Sequence, residues 1–269
     1  MVKKLFKHEF LAYLRVVLPM HIILLFIALF NRITQLFEST SSTYDIIFGS
    51  SMFIYIIALI VCMVLTFIFG IKRFYSNLFT HEGYLTLTLP VTPAQHILVK
   101  VTVATTSILF SLVMAFASLL IITFGEVGIE IFKAIGFLYN EAYPIVGFNL
   151  ILYIAEFVLV GIVSIATSYL LYYACICIGQ RAKKSRVAAA IAVYFIYYVI
   201  VQVLGTIFMV LLPKIVDVLP LDKLADFATA HPHGMCHIIM SAWILFTAIM
   251  GFVYFIISKH IVSKKLNIE

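Results

Sequence analysis

Apolar residues run along this chain in long stretches, and polar residues collect in the segments between them. Six stretches qualify as spans: residues 16–30, 50–71, 98–124, 148–178, 187–212 and 237–258. About 20 apolar residues wound as a helix cross the ~30 Å hydrocarbon core of a bilayer. The first stretch is short, and the fourth is longer than a bilayer requires. Residues 1–15 carry a different pattern. Phe6, Phe10, Tyr13 and Leu14, continued by Val17, recur at helical spacing on one face, while Lys3, Lys4, Lys7, His8 and Arg15 occupy the others. A helix of that kind lies in the plane of the interface with its apolar face in the acyl chains. Pro19 suits a break between it and the first span, because proline removes one backbone hydrogen bond.

Composition agrees with the pattern. Hydrophobic residues make up 64% of the 269 positions and charged residues only 11%, with a mean hydropathy of +1.14. A water-soluble chain of this size does not bury that much. The expected fold class is an all-α integral membrane protein, organised as a single transmembrane domain over residues 1–269, with no room for a soluble catalytic domain. No cleavable signal peptide is expected, since no small-residue cleavage site follows the basic start.

Charge sets the expected orientation. One side of the six spans holds Lys3, Lys4, Lys7, Arg15, Lys72, Arg73, Lys100, Arg181, Lys183, Lys184, Arg186, Lys259, Lys264 and Lys265. Only Arg32, Lys133, Lys214 and Lys223, of 18 basic residues, fall on the other, together with eight acids from Glu38 to Asp226. The positive-inside rule puts the first side, and both termini, in the cytoplasm. The net charge of +6 is then a consequence of topology and of contact with anionic lipid head groups, and calls for no nucleic acid.

Several chemistries lack their residues. No Gly-rich loop ending in Lys-Ser/Thr is present, so the chain itself hydrolyses no nucleotide. There is no His-Glu-x-x-His, and Gly161-Ile-Val-Ser164 lacks the pattern of a serine nucleophile. Of the four cysteines, Cys62 lies in a span, Cys175 and Cys177 lie near the end of another, and only Cys236 is external; they read as packing residues. His231-Pro-His233-Gly-Met-Cys236-His237 has no standard zinc spacing, and its Pro and Gly favour a turn, so no metal is expected. No catalytic residue is assigned.

The most polar of the segments placed in the cytoplasm is residues 72–97. Lys72 to Thr80 suits a short helix, His81-Glu82-Gly83 a break, and Thr92 a cap for a helix with Pro93 at its first position. The stretch Arg73-Phe-Tyr-Ser-Asn-Leu-Phe-Thr-His-Glu-Gly-Tyr-Leu-Thr-Leu-Thr-Leu-Pro-Val91 resembles the first cytoplasmic loop of permease subunits of bacterial ATP-binding-cassette (ABC) exporters of the type-2 family. The basic amphipathic start and the ending Lys259-His-Ile-Val-Ser-Lys-Lys-Leu-Asn267 fit the same family. The resemblance covers the whole chain in topology, but its motif covers only about residues 73–91.

That resemblance implies that residues 72–97 form a coupling helix docked in a cleft of a separate ABC ATPase subunit. It also implies an N-terminal elbow helix over 1–15 and a short re-entrant helix within 213–236. Tyr75, Asn77, Leu78, Phe79, Glu82 and Gly83 would be the ATPase contacts, with Leu78 and Phe79 as buried anchors. A second permease copy, or a related chain, would complete the pathway. ATP and Mg would sit on the partner, and this chain would bind no cofactor. A peptide, antibiotic or lipid suits an interior with almost no fixed charge, and the bacterial plasma membrane is the expected location.

Glu156 is the only acid inside a span. At 1.5 Å per residue it lies about 12 Å below the outer boundary, and Gln202 reaches a similar depth from the opposite side, about 22 Å up. Thr247 is a third candidate. A carboxylate at that depth must face protein or water and find a partner, so these three are the pathway or gating candidates. Two rival readings stay open: an ion-gradient-driven secondary transporter using Glu156, and a non-transporting membrane sensor or adaptor.

Overall fold

A computed structural model describes residues 2–37, 41–80, 83, 90–183, 185–218 and 221–264, with backbone alone at 126, 127, 215–218, 221–225 and 264. Helices α1 (Val2–Leu36), α2 (Ser42–Phe79), α3 (Pro93–Ile122) and α4 (Glu126–Val146) are followed by α5 (Asn149–Gly179), α6 (Arg186–Val218), α7 (Leu221–Ala230) and α8 (Pro232–Lys264). Among the described residues there is no strand. Six helices, α1, α2, α3, α5, α6 and α8, are long and apolar enough to cross a membrane. The chain is thus an all-helical protein of multi-pass membrane type. It packs as two compact units, residues 1–145 and 146–269.

In the first unit, α1 and α2 run antiparallel and α1 and α3 parallel. The contacts show it: Tyr13 meets Phe69 and Asn31 meets Ser51, while Glu9 meets Lys100 and His21 meets Phe110. The buried positions of α1 are Glu9, Tyr13, Val17, His21, Leu24, Ala28 and Asn31, one stripe at spacings of three and four. A small apolar cluster of Leu24, Ala28, Tyr55, Cys62 and Ile122 joins the three helices. Polar contacts flank it: Ser51 Oγ donates to Asn31 Oδ1 at 2.8 Å, Tyr55 Oη and Ser118 Oγ lie 2.8 Å apart, and Ser111 Oγ donates to Thr66 Oγ1 at 3.2 Å. Large apolar side chains such as Phe26, Phe53 and Phe116 point outward. With lipid outside, apolar surface gains nothing by turning inward, so small and polar residues make the helix–helix seam.

The second unit repeats this connectivity on its own terms. Tyr172 stacks on Tyr194 between α5 and α6, and Tyr197 Oη and Tyr254 Oη are 2.6 Å apart between α6 and α8. Tyr153 meets His233 and Thr167 meets Thr247, so α5 and α8 run parallel. The buried part of α5 is confined to its last turns, from Tyr169 onward.

Several expectations change. Residues 1–15 and the first span are one unbroken helix of 35 residues that runs through Pro19. Proline in a helix frees one carbonyl, and packing against neighbouring helices keeps such a helix intact. Residues 72–79 are likewise not a separate helix: α2 continues from the second span to Phe79. Residues 126–146, between the third and fourth spans, form a 21-residue helix, α4, beyond what was expected of that segment. Within 213–236, where the resemblance implies a short re-entrant helix, α6 runs on through Pro213 and a separate helix of ten residues, α7, follows. The expected Thr92 cap is present, with Pro93 in the first turn of α3, and Gln95 adds a reciprocal arm that was not expected: Thr92 Oγ1 accepts from Gln95 N and Gln95 Oε1 accepts from Thr92 N.

Candidate functional site

Two polar clusters stand out, one in each unit. The first lies at the basic end of the first unit. Glu9, only 5% exposed, accepts from Arg73 Nε on Oε2 at 2.6 Å, and from Lys100 Nζ on Oε1 at 2.8 Å and Asn77 Nδ2 on Oε1 at 3.1 Å. Three helices are tied by one carboxylate. Lys100 is itself buried, and His96, one turn before it, is 1% exposed. Glu9 lies seven residues before the apolar stretch that begins at Val16, hence outside the span. Burial alone would raise its pKa, but Lys100 first and Arg73 second outweigh that and hold the carboxyl below its usual range. This cluster escapes a sequence reading because Glu9 sits among lysines on what looks like the wet side of an amphipathic helix.

The residues picked as ATPase contacts fall around this cluster. Asn77 is committed to Glu9. Leu78 is fully buried inside the unit, so it supports the end of α2 from within and does not present an anchor. Tyr75 and Phe79 are half-buried, their rings 6.3 Å apart, and Phe79 also meets Phe74 edge-on at 5.9 Å. Glu82 lies outside the described residues. Gly83 is buried, and its N–H donates to Thr80 O at 2.8 Å. A Cβ on Gly83 would stand 2.5 Å from the Leu78 carbonyl oxygen, so the need for glycine there is steric.

The second cluster joins the starts of α5 and α8. Glu156 Oε1 lies 2.8 Å from His237 Nδ1, and His237 Nε2 lies 3.3 Å from Asn149 Oδ1. The Tyr153 ring stacks on His237 at 4.5 Å, and its hydroxyl lies 3.1 Å from His233 Nδ1. The second oxygen of Glu156 is buried and has no protein partner among the described residues. Glu156, Gln202 and Thr247 do not come together. Gln202 is exposed, and its carbonyl accepts from Thr206 Oγ1. Thr247 Oγ1 donates to Trp243 O one turn back, and its own carbonyl accepts from Thr167 Oγ1. His233 and His237 belong to the first turns of α8, which starts at Pro232, and not to the turn expected from the Pro and Gly. The signal for this cluster was present as a pair of histidines four apart and a Tyr and Glu three apart, both spacings that share a helix face. Among the described residues no group of three or more His, Cys, Asp or Glu side chains is placed to hold a metal ion.

No protein-family model, no curated protein and no solved structure matches the chain.

Proposed function

We propose that this chain is the membrane-spanning permease subunit of an ATP-driven ABC exporter of a bacterial plasma membrane, with both termini in the cytoplasm. It works as a dimer with a second copy or a related chain, moves an amphipathic or hydrophobic substrate such as a peptide or antibiotic, and hydrolyses no ATP itself. One observation carries the reading. The basic end of α2 runs eight residues beyond the apolar stretch, about 12 Å, and presents half-buried Tyr75 and Phe79 on a base braced by Glu9, Arg73, Asn77 and Lys100. A rigid protrusion tipped with aromatic side chains suits a groove on a soluble partner, because anchors of that type supply most of the energy in a docked interface. The same brace reaches the amphipathic start of α1 and would carry force from the ATPase into two spans at once.

The test is a tagged purification from gently solubilised native membranes. The chain should bring down a stoichiometric ATP-binding subunit. Phe79→Asp should weaken that association by about 2 kcal/mol, roughly thirtyfold, while the membrane protein still elutes as a single folded species. Undiminished co-purification would remove Phe79 from the interface, and the absence of any ATPase would remove the exporter reading.

The Glu156–His237 pair favours a second reading, a transporter driven by an ion gradient with Glu156 as the proton carrier. A buried carboxylate oxygen without a protein partner, beside an imidazole, suits a group that gains and loses a proton. Dye-reported proton flux in proteoliposomes separates the two. The exporter reading expects no Glu156-dependent flux, whereas flux abolished by Glu156→Gln, with folding intact, would establish the rival.

A further inference from the structure

At the end of the first unit opposite its basic cluster, the last turn of α3 and the first turns of α4 enclose a groove of about 530 Å³. Leu120, Ile121, Phe124, Ile129 and Phe132 supply its apolar lining, completed by Thr123, Gly125 and Gly128. Gly125 has φ +113°, a conformation that favours glycine, and a Cβ there would stand 2.8 Å from Arg32 Nη2. The missing side chain therefore lets the Arg32 guanidinium of α1 reach the rim of the groove. Arg32 donates to Gln35 Oε1 at 3.0 Å, and among the described residues it makes no ion pair. It lies two residues beyond Phe30, the last apolar residue of its span, and the groove begins where the apolar run of α3 ends. Both features put the site at the level of lipid head groups.

We propose that this groove binds one anionic phospholipid of the phosphatidylglycerol type, with an acyl chain along Ile121, Phe124, Ile129 and Phe132 and its phosphate on Arg32. The occupant follows from the pairing of chemistries. The lining is apolar but for Thr123, whose hydroxyl is turned to Leu119 O, and suits hydrocarbon, while a planar guanidinium matches phosphate oxygens two at a time. A zwitterionic lipid fits the walls equally, but its head group adds a cation beside Arg32. Glu130 and Lys133, the nearest charges on α4 with described side chains, stand about 100° and about 40° around that helix from Ile129, so Lys133 is the rival cation the experiment must separate.

The probe is native mass spectrometry of the full chain released from phosphatidylcholine nanodiscs containing a minor fraction of phosphatidylglycerol. Wild type should retain one phosphatidylglycerol in preference to phosphatidylcholine. Arg32→Gln should lower that preference about fivefold, the worth of one basic residue at a membrane surface, and Lys133→Gln should leave it unchanged. Ile129→Trp, at an exposed position on the groove wall, should reduce retention of both lipids without altering their ratio. If Arg32→Gln does not fold, the wild-type ratio and Ile129→Trp decide. Equal retention of the two lipids by wild type, a preference untouched by Arg32→Gln, or one lost on Lys133→Gln would each overturn the site.

Discussion

Replacing Glu9 by alanine should destabilise the first unit by about 3–5 kcal/mol, the usual cost of breaking a buried ion pair by removing one partner. Lys100, 4% exposed, would be left as a buried cation without its nearest acid. Arg73 suffers less, being about a quarter exposed and able to swing to water. The measurement is the unfolding midpoint of purified protein in micelles, and a midpoint within a degree or two of wild type would show that Glu9 holds nothing. A compensated pair sharpens the result. Glu9→Gln with Lys100→Met removes both charges and should recover part of the loss, because no buried cation is left without its acid at position 100. The same group predicts a pH response. Glu9 titrates lower in the folded chain than in the unfolded one. Its contribution is therefore complete above the ordinary carboxylate range and is lost as pH falls through the depressed folded value. Wild type should lose stability on acidification over that window, and Glu9→Gln should lose correspondingly less.

How much of this arrangement could be read from the sequence depends on what the membrane hides. The six spans are legible because a bilayer selects on run length and hydrophobicity alone, and the Thr92 cap with Pro93 is legible because its residues are local. The interior is not. In water, the apolar positions of a helix mark its buried stripe. Here Phe26, Phe53 and Phe116 face outward while His21, Asn31, Ser51, Thr66 and Ser118 face in. Glu156 was recognisable as a group needing a partner, but not the identity of that partner. Counting depth from the opposite boundary points to Gln202 instead. His237 is five residues into α8, about 8 Å, and Glu156 seven into α5, about 10 Å, so the parallel packing of those two helices brings them level. That packing is a tertiary fact no local pattern carries. The end of α2 shows the same limit. Leu78 and Phe79 are adjacent apolar residues in one motif, yet one closes the interior and the other stays half-buried outside it.

Glycine positions in the second unit separate close packing from mere smallness, and Gly179→Ala should be the more damaging of two matched changes. Gly161, Gly205 and the alanines from Ala188 to Ala190 all suggest close helix approach by their size. Only some of them are used: a Cβ on Gly161 or Gly205 would meet nothing within 4 Å, whereas one on Gly179 would fall 2.5 Å from Ala190 N and 2.6 Å from its Cα. Those are backbone atoms and have no rotamer by which to move aside. Neither partner can easily retreat. Gly179 is the last residue of α5, its carbonyl accepting from Ala182 N, and Ala190 lies one turn into α6. The short connection between them, with Ser185 at φ 51°, holds the two ends together. A methyl group there should cost about 3 kcal/mol, the upper part of the range for overpacking, read as a lowered unfolding midpoint. Gly161→Ala is the control, and should be neutral or stabilising by about 0.5–1 kcal/mol through helix propensity. Adding Ala190→Gly to Gly179→Ala removes only the Cβ contact and should rescue little, because N and Cα remain in place. Full rescue would mean that side chains set the approach of α5 and α6, and equal effects of Gly179→Ala and Gly161→Ala would mean that the approach is not close at all.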